Sequence, residues 1–219
     1  MTMLNDTLDP LQRLLLAYAP SSRRARYALL FALDNRFAAI LRSTTETLLG
    51  QMRLTWWRDA LTTPQDDRDA GEPLLEQMAA MRPSDWDREA LSRLIEGWIL
   101  MLEPLPWDDE HYQLYATARG EGFFGFALGE TLTAEQAQAA RCWACWDLAT
   151  GLPNPESAMR ALADAAKDLQ PLKFNRSNRP LSILVQLMRH DMQRGAIGQK
   201  PLYRPQTAAR IIWHGLTGR

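Results

Sequence analysis

Apolar residues recur every three or four positions along most of this chain, and the segments they mark are bounded by helix-capping residues rather than by hairpin turns. Asp9-Pro10 reads as an N-cap and first helical residue, with Leu11, Leu14, Leu15 and Tyr18 at helical spacing until Pro20. Ser21 or Ser22 then caps a helix over about residues 23–41 that is apolar almost all round, through Tyr27, Leu30, Phe31, Leu33, Phe37, Ile40 and Leu41. Such a helix belongs in an interior. Ser43 and Glu46 suggest a capping box for a third helix, whose apolar stripe comprises Leu49, Met52, Trp56, Trp57 and Ala60 with Arg53 interrupting it.

A polar loop is expected over residues 62–72, where Pro64, Asp66, Asp67, Asp69 and Gly71 fall. Pro73 opens a short helix, and Asp85 caps another that carries Leu91, Leu94, Ile95, Trp98 and Leu102. After Pro104 and Pro106 a helix is expected from about residue 109 to 130, despite Gly120, Gly122, Gly125 and Gly129. Each glycine costs about 1 kcal/mol relative to alanine there, so close packing or a local kink must compensate. Thr133 and Gln136 form a second capping box, Gly151 and Pro153 end that helix, and further starts fall at Asn154-Pro155, Arg179-Pro180 and Pro205. Period-two alternation is not evident, and β-branched residues are scarce beside Leu and Ala. The expectation is an all-α, single-domain helical bundle of about eight helices spanning residues 1–219.

A chain of 219 residues, 46% hydrophobic, can bury one sizeable core and requires no second domain. Its net charge of −1 conceals an asymmetry: residues 167–219 carry ten Lys or Arg against Asp168 and Asp191, a local +8. This basic C-terminal region suits a protein partner or a membrane surface, whereas no nucleic-acid partner is expected, because the chain as a whole is not basic and no recognition motif accompanies the patch. Cys142 and Cys145 are too few for a disulfide framework, which suits a reducing compartment. Residues 1–10 lack the basic-then-apolar order of a signal peptide, and no apolar run approaches the ~18 residues of a membrane span. A cytoplasmic protein, at most peripheral to a membrane, is the expectation.

Asp34 lies on the Leu30, Phe37 and Leu41 face, where an unpaired charge is expensive, so a buried partner is expected and Arg53 is the obvious one. The Cys142-x-x-Cys145 pair sits mid-helix among Trp143 and Trp146 without a second pair for zinc, which favours core packing over redox chemistry. His111, His190 and His214 are isolated, and Asp108, Asp109 and Glu110 read as solvated or capping residues.

Three stretches taken together point further: Pro20-Ser21-Ser22-Arg23-Arg24, Leu30-Phe31-Ala32-Leu33-Asp34, and Arg53-Leu54-Thr55-Trp56-Trp57-Arg58-Asp59-Ala60-Leu61. They resemble the squalene/phytoene synthase family, and the likeness extends through Gly71-Glu72-Pro73-Leu74, Leu94-Ile95-Glu96-Gly97 and Leu114-Tyr115 to Gly129. It covers roughly residues 10–151, with a weaker echo in Arg179-Pro180-Leu181 and residues 213–219. The resemblance implies an isoprenoid-synthase type bundle. Its active members condense two prenyl diphosphates head to head, using Mg²⁺ held by two D-x-x-x-D clusters. It marks Ser21, Ser22, Arg23, Arg24 and Arg53 as substrate- or diphosphate-binding candidates and Asp34 as the candidate catalytic carboxylate.

The departures carry as much weight as the matches. The first cluster reads Asp34-Asn35-Arg36-Phe37-Ala38, so its second carboxylate is an alanine, and residues 142–151 hold only Asp147. Asp164 and Asp168 satisfy the spacing but fall one helix later, where a solvated face is the plainer reading. A protein without cofactor is therefore expected, with an assembly, scaffold or lipid-binding role similar to the family's complex I assembly-factor branch. The alternative is a Mg²⁺-dependent transferase relying on Asp34 and displaced carboxylates. In either case the old cavity suits a prenyl diphosphate or an apolar lipid.

Overall fold

The computed structural model describes residues 8–63, 71–81, 87–152, 154–167, 169–170, 172 and 174–195. Its α-helices are α1 (Pro10–Ala17), α2 (Ser21–Ser43), α3 (Thr47–Thr62), α4 (Pro73–Ala79), α5 (Arg88–Leu100), α6 (Asp109–Tyr115), α7 (Gly122–Leu128), α8 (Ala134–Gly151), α9 (Glu156–Ala165) and α10 (Arg179–Arg194). A π-helical segment, Ala116–Glu121, joins α6 to α7 without a break, and with these three counted as one helix the described residues form nine helices and no strand, as the all-α expectation requires.

Several boundaries follow directly from local chemistry. Asp9 accepts from the Gln12 amide, and the Gln12 side chain accepts from the Asp9 amide, closing a capping box with Pro10 at the first helical position. Thr133 and Gln136 repeat the arrangement at α8, and Asp108 caps α6 by accepting from the His111 amide. Gly129 and Gly195 take positive φ, 66° and 60°, at the ends of α7 and α10, where the left-handed conformation that glycine tolerates lets the chain leave the helix.

Other boundaries differ from the sequence reading. Pro20 is the N-cap of α2 and supplies no side-chain bond, so Ser21 and Ser22 are exposed residues of the first turn instead of caps. Ser43 still belongs to α2, where its hydroxyl donates to the Ile40 carbonyl; the Ser43/Glu46 box does not form. Asp87 caps α5, accepting from the Glu89 and Ala90 amides, while Asp85 lies outside the described residues, as do Pro64, the aspartates at 66, 67 and 69, Asp168 and the start at Pro205.

The glycine-rich helix receives the close packing expected of it. It widens into the π segment, and its glycines allow backbone-on-backbone packing. A Cβ at Gly120 would stand 2.3 Å from the Ala140 carbonyl oxygen of α8, and one at Gly122 would stand 2.4 Å from the Leu94 amide nitrogen of α5. Gly97 of α5 reciprocates, since its Cβ would meet Arg119 Cα at 2.6 Å. Residues 116–121 are thus pressed between α5 and α8. Helix α2 crosses beside α3, α4 and α7; α9 covers α8; and α1 and α10 close the remaining side. Buried side chains from every helix join one apolar core.

Helix α3 departs most from expectation. It buries Gly50, Leu54, Trp57 and Leu61, whereas Leu49, Met52 and Trp56, read from the sequence as its core stripe, are 44%, 60% and 43% exposed. This helix is apolar on two faces, so periodicity alone could not choose between them. Gly50 helps decide: a Cβ there would approach Leu102 Cδ2 to 2.7 Å, so the glycine face is the one that comes close to the chain after α5.

Candidate functional site

The most unusual group in the core is the Arg119 guanidinium. It belongs to the π segment and is 1% exposed. Its Nη2 donates to Asp34 Oδ2 of α2 at 2.8 Å and to Asp147 Oδ2 of α8 at 3.3 Å, tying three elements together through one cation. Asp34 also accepts from Trp98 Nε1 of α5 at 2.9 Å. The guanidinium carbon stands 4.9 Å from the Trp98 ring centre, 4.8 Å from Trp143 and 5.4 Å from Phe123. Nε and Nη1 meet no acceptor among the described residues, and the ring faces stabilise the charge there instead.

Local structure explains the placement. Tyr115, Arg119 and Phe123 are all buried, and Gly97 lets the Arg119 backbone lie directly against α5 in the middle of the core. Burial opposes the guanidinium charge, but Asp34 and then Asp147 outweigh it and hold the proton more tightly than usual. The carboxylates differ. Burial pushes Asp34 above the ordinary carboxylate range, against the pull of Arg119 and the Trp98 hydrogen bond. Burial pushes Asp147 up to about 6, opposed by Arg119 and reinforced by the negative charge of Asp34. Two carboxylates share one cation, and Asp147 is the one that opens to water, with its side chain 41% exposed.

That opening is a crevice of about 150 Å³ whose walls include Asp9, Gln12, Phe31, Trp143, Trp146 and Thr150. Gln12 and Asn35 exchange amide hydrogen bonds at 2.9 and 2.7 Å beside it, fastening α1 to α2. Asp34 therefore has the buried partner that its position demanded, but the partner is Arg119. Arg53 instead lies exposed on α3 and donates to the Thr44 hydroxyl at 3.2 Å. Arg119 was overlooked in the sequence, although a signal existed: one arginine on the otherwise apolar Tyr115, Phe123, Phe126 side of a glycine-rich helix.

The remaining candidates are not gathered here. Ser21 and Ser22 are exposed at the start of α2. Arg23 donates to the Leu128 carbonyl at 3.0 Å and to Asn178 Oδ1 at 2.6 Å, and Arg24 donates to the Ala19 carbonyl at 3.0 Å. Both arginines thereby satisfy carbonyl groups at helix ends, which is a packing role. Asp164 pairs with Lys167 at 2.6 Å on the surface of α9. Cys142 and Cys145 are buried free thiols, and burial pushes them up to about 11 and about 12, so neither is an available thiolate. His111 approaches the Leu100 carbonyl at 3.2 Å and stacks on Trp107. No protein-family model, curated protein or solved structure matches the chain.

Proposed function

We propose that this protein is a non-catalytic bundle of the squalene/phytoene synthase type, in which a site for prenyl-diphosphate chemistry has become a structural ion cluster and the surface carries the function as an assembly, scaffold or lipid-binding element. The observation that supports this reading is the buried Arg119 between Asp34 and Asp147. Ionising an allylic diphosphate puts several negative charges on the leaving group, and the synthases that this chain resembles offset them with Mg²⁺ bridged to carboxylates of facing helices. Mg²⁺ takes about six oxygen ligands in an octahedral arrangement.

The residues present do not fit that ion. The two carboxylates that remain on facing helices already converge on a fixed guanidinium, and a divalent cation placed between them would meet a like charge that cannot leave. Arg36, two residues after Asp34 and therefore on the outer side of α2, is committed to Glu72 at 3.1 Å. What the cluster does well is fix geometry, because α2, the π segment and α8 are held to one another by charge-assisted hydrogen bonds in a low-dielectric interior.

The test is turnover of farnesyl or geranylgeranyl diphosphate with Mg²⁺, with and without a nicotinamide cofactor, followed by chromatography of the products. No squalene, phytoene or cyclopropyl intermediate should exceed the protein-free control, and Mg²⁺ alone should leave the melting temperature unchanged. A product that appears with the wild type and disappears in Asp34→Asn would overturn the reading in favour of a prenyl transferase.

A further inference from the structure

The crevice beside Asp147 carries more negative charge than its surroundings answer. Asp9, Asp34 and Asp147 all belong to its walls, and among the described residues Arg119 is the one cation at ion-pair distance from any of them. Three negative charges against one positive leave a formal −2 when all are ionised. Arg119 reaches Asp147 through Oδ2, so Oδ1 has no partner among the described residues, and the side chain opens to water. Asp9 uses Oδ1 to accept from the Gln12 amide, which leaves its charge without a counter-ion. Most of the remaining lining is apolar, and Phe31, Trp143 and Trp146 supply aromatic rings. The space is about 150 Å³, and a cavity of that order accepts a benzene-sized group.

We propose that this crevice binds a small organic cation, an ammonium group carried on an apolar or aromatic body, with the charge on Asp147 and Asp9 and the body against the rings. Charge complementarity selects this occupant. A carboxylate or phosphate entering the crevice is repelled by Asp9 and Asp147, and the two unpartnered nitrogens of Arg119 that could attract it are closed to water. A neutral apolar group gains the rings but leaves the carboxylates unanswered. An ammonium gains both, because ring faces attract cations and a hydrogen bond to an ionised carboxylate is about twice as strong as a neutral one. Burial that pushes Asp147 up to about 6 agrees with a carboxylate short of counter-charge. The ammonium lies outside the buried pair, on Asp147 Oδ1, and leaves both Arg119 bonds in place; unlike Mg²⁺ it requires no octahedron of oxygens. The inference goes beyond the non-catalytic reading and does not rest on it, because the charge count is the same whether or not the chain turns over a diphosphate.

Titration calorimetry of the full chain at neutral pH tests it with three probes of one shape: benzylammonium, benzyl alcohol and benzoate. Benzylammonium should bind at least about tenfold more tightly than benzyl alcohol, and benzoate should not bind. Asp147→Asn should lose at least about tenfold in affinity for benzylammonium while its affinity for benzyl alcohol stays the same, with a circular dichroism melt confirming that the variant remains folded. Equal affinity for the ammonium and the alcohol would overturn the proposal, since the crevice would then recognise the ring alone. A preference for benzoate would overturn it in favour of an anion site at Arg119. No saturable binding of benzylammonium below about 10 mM, or binding that Asp147→Asn leaves intact, would overturn it as well. Product chromatography with prenyl diphosphates decides the non-catalytic reading separately, so the failure of one is not the failure of the other.

Discussion

The centre of this protein and the outer face of α3 invert the usual arrangement in opposite senses. At the centre a guanidinium, ordinarily a surface group, is 1% exposed; on α3, Leu48 and Met52 are 66% and 60% exposed. Both break the rule that apolar residues go inside and charges outside. The difference lies in compensation. Arg119 finds two carboxylates and three aromatic faces within its own chain, so its burial is answered internally. Nothing among the described residues covers the α3 face. A violation that is answered internally stabilises a geometry, while one left open looks outward to another surface.

If the central cation is answered in this way, removing it should be as damaging as emptying a large core position. Arg119→Met keeps most of the side-chain volume but leaves Asp34 buried without its cation, and breaking such a pair costs about 3–5 kcal/mol. For a chain of this size the melting temperature should fall by roughly 10 °C in thermal unfolding followed by circular dichroism. Adding Asp34→Asn and Asp147→Asn to Arg119→Met should recover at least about 2 kcal/mol, because the charges left without a partner are then gone and the amide that replaces the Asp34 carboxylate still offers an oxygen to Trp98. A triple variant no more stable than the single one would mean that packing, not charge, makes Arg119 essential.

The second test concerns how the cation is held in place. Gly122→Ala would drive a Cβ to 2.4 Å from the Leu94 nitrogen and 2.8 Å from the Ala90 oxygen, both backbone atoms that cannot swing aside. It should destabilise by about 1–3 kcal/mol in urea titration, net of the helix propensity that alanine gains. Gly125→Ala is the control. Its Cβ would meet only the Ala90 Cβ, at 3.3 Å, and its stability should stay within about 1 kcal/mol of wild type. Equal losses in the two variants would remove the argument that the glycines are there to let backbones meet around Arg119.

Much of the fold could be read from the sequence where the determinant is local. The Asp9-Pro10 helix start and the Thr133-x-x-Gln136 box are built from bonds within four residues and form as read, although the equally local Ser43/Glu46 box does not. The need of Asp34 for a partner was also legible, since burial of its helix face follows from the neighbouring apolar residues. The identity of that partner was not, because Arg119 lies 85 residues away and only the tertiary packing brings the two together. The buried side of α3 was hidden for a different reason: with apolar residues on two faces, the choice between them is made by tertiary packing, of which the approach of Gly50 to Leu102 is one part.

A smaller effect should come from pH. The folded-state pKa of Asp147 is raised to about 6 from an ordinary value of 3.8. A raised carboxyl contributes stability that is fully present below its unfolded pKa and lost as pH rises through the folded one. Wild type should therefore lose stability relative to Asp147→Asn between about pH 4 and 6, and the melting-temperature difference between the two should change in that window. The loss should be modest, because the crevice lets water reach the carboxylate. A difference that stays flat across the window would show that Asp147 remains ionised throughout, and the two carboxylates would then share Arg119 on equal terms.

The smallest effect is expected on α3, and its smallness is what separates the two regions. Trp56 and Trp57 are adjacent and chemically identical, yet one is 43% exposed and the other 3%. Trp57 packs edge-on against Phe37 at 5.8 Å inside the core, so Trp57→Ala should cost about 3–5 kcal/mol. Leu48→Gln, Met52→Gln and Trp56→Gln remove side chains that the described residues leave facing water, and each should change the unfolding free energy by no more than about 0.5 kcal/mol. Chemical denaturation in dilute, lipid-free solution measures this directly. If Trp56→Gln instead cost as much as Trp57→Ala, the outer face would already be covered by part of the same chain, and the contrast between a violation answered within the molecule and one left for a partner would collapse.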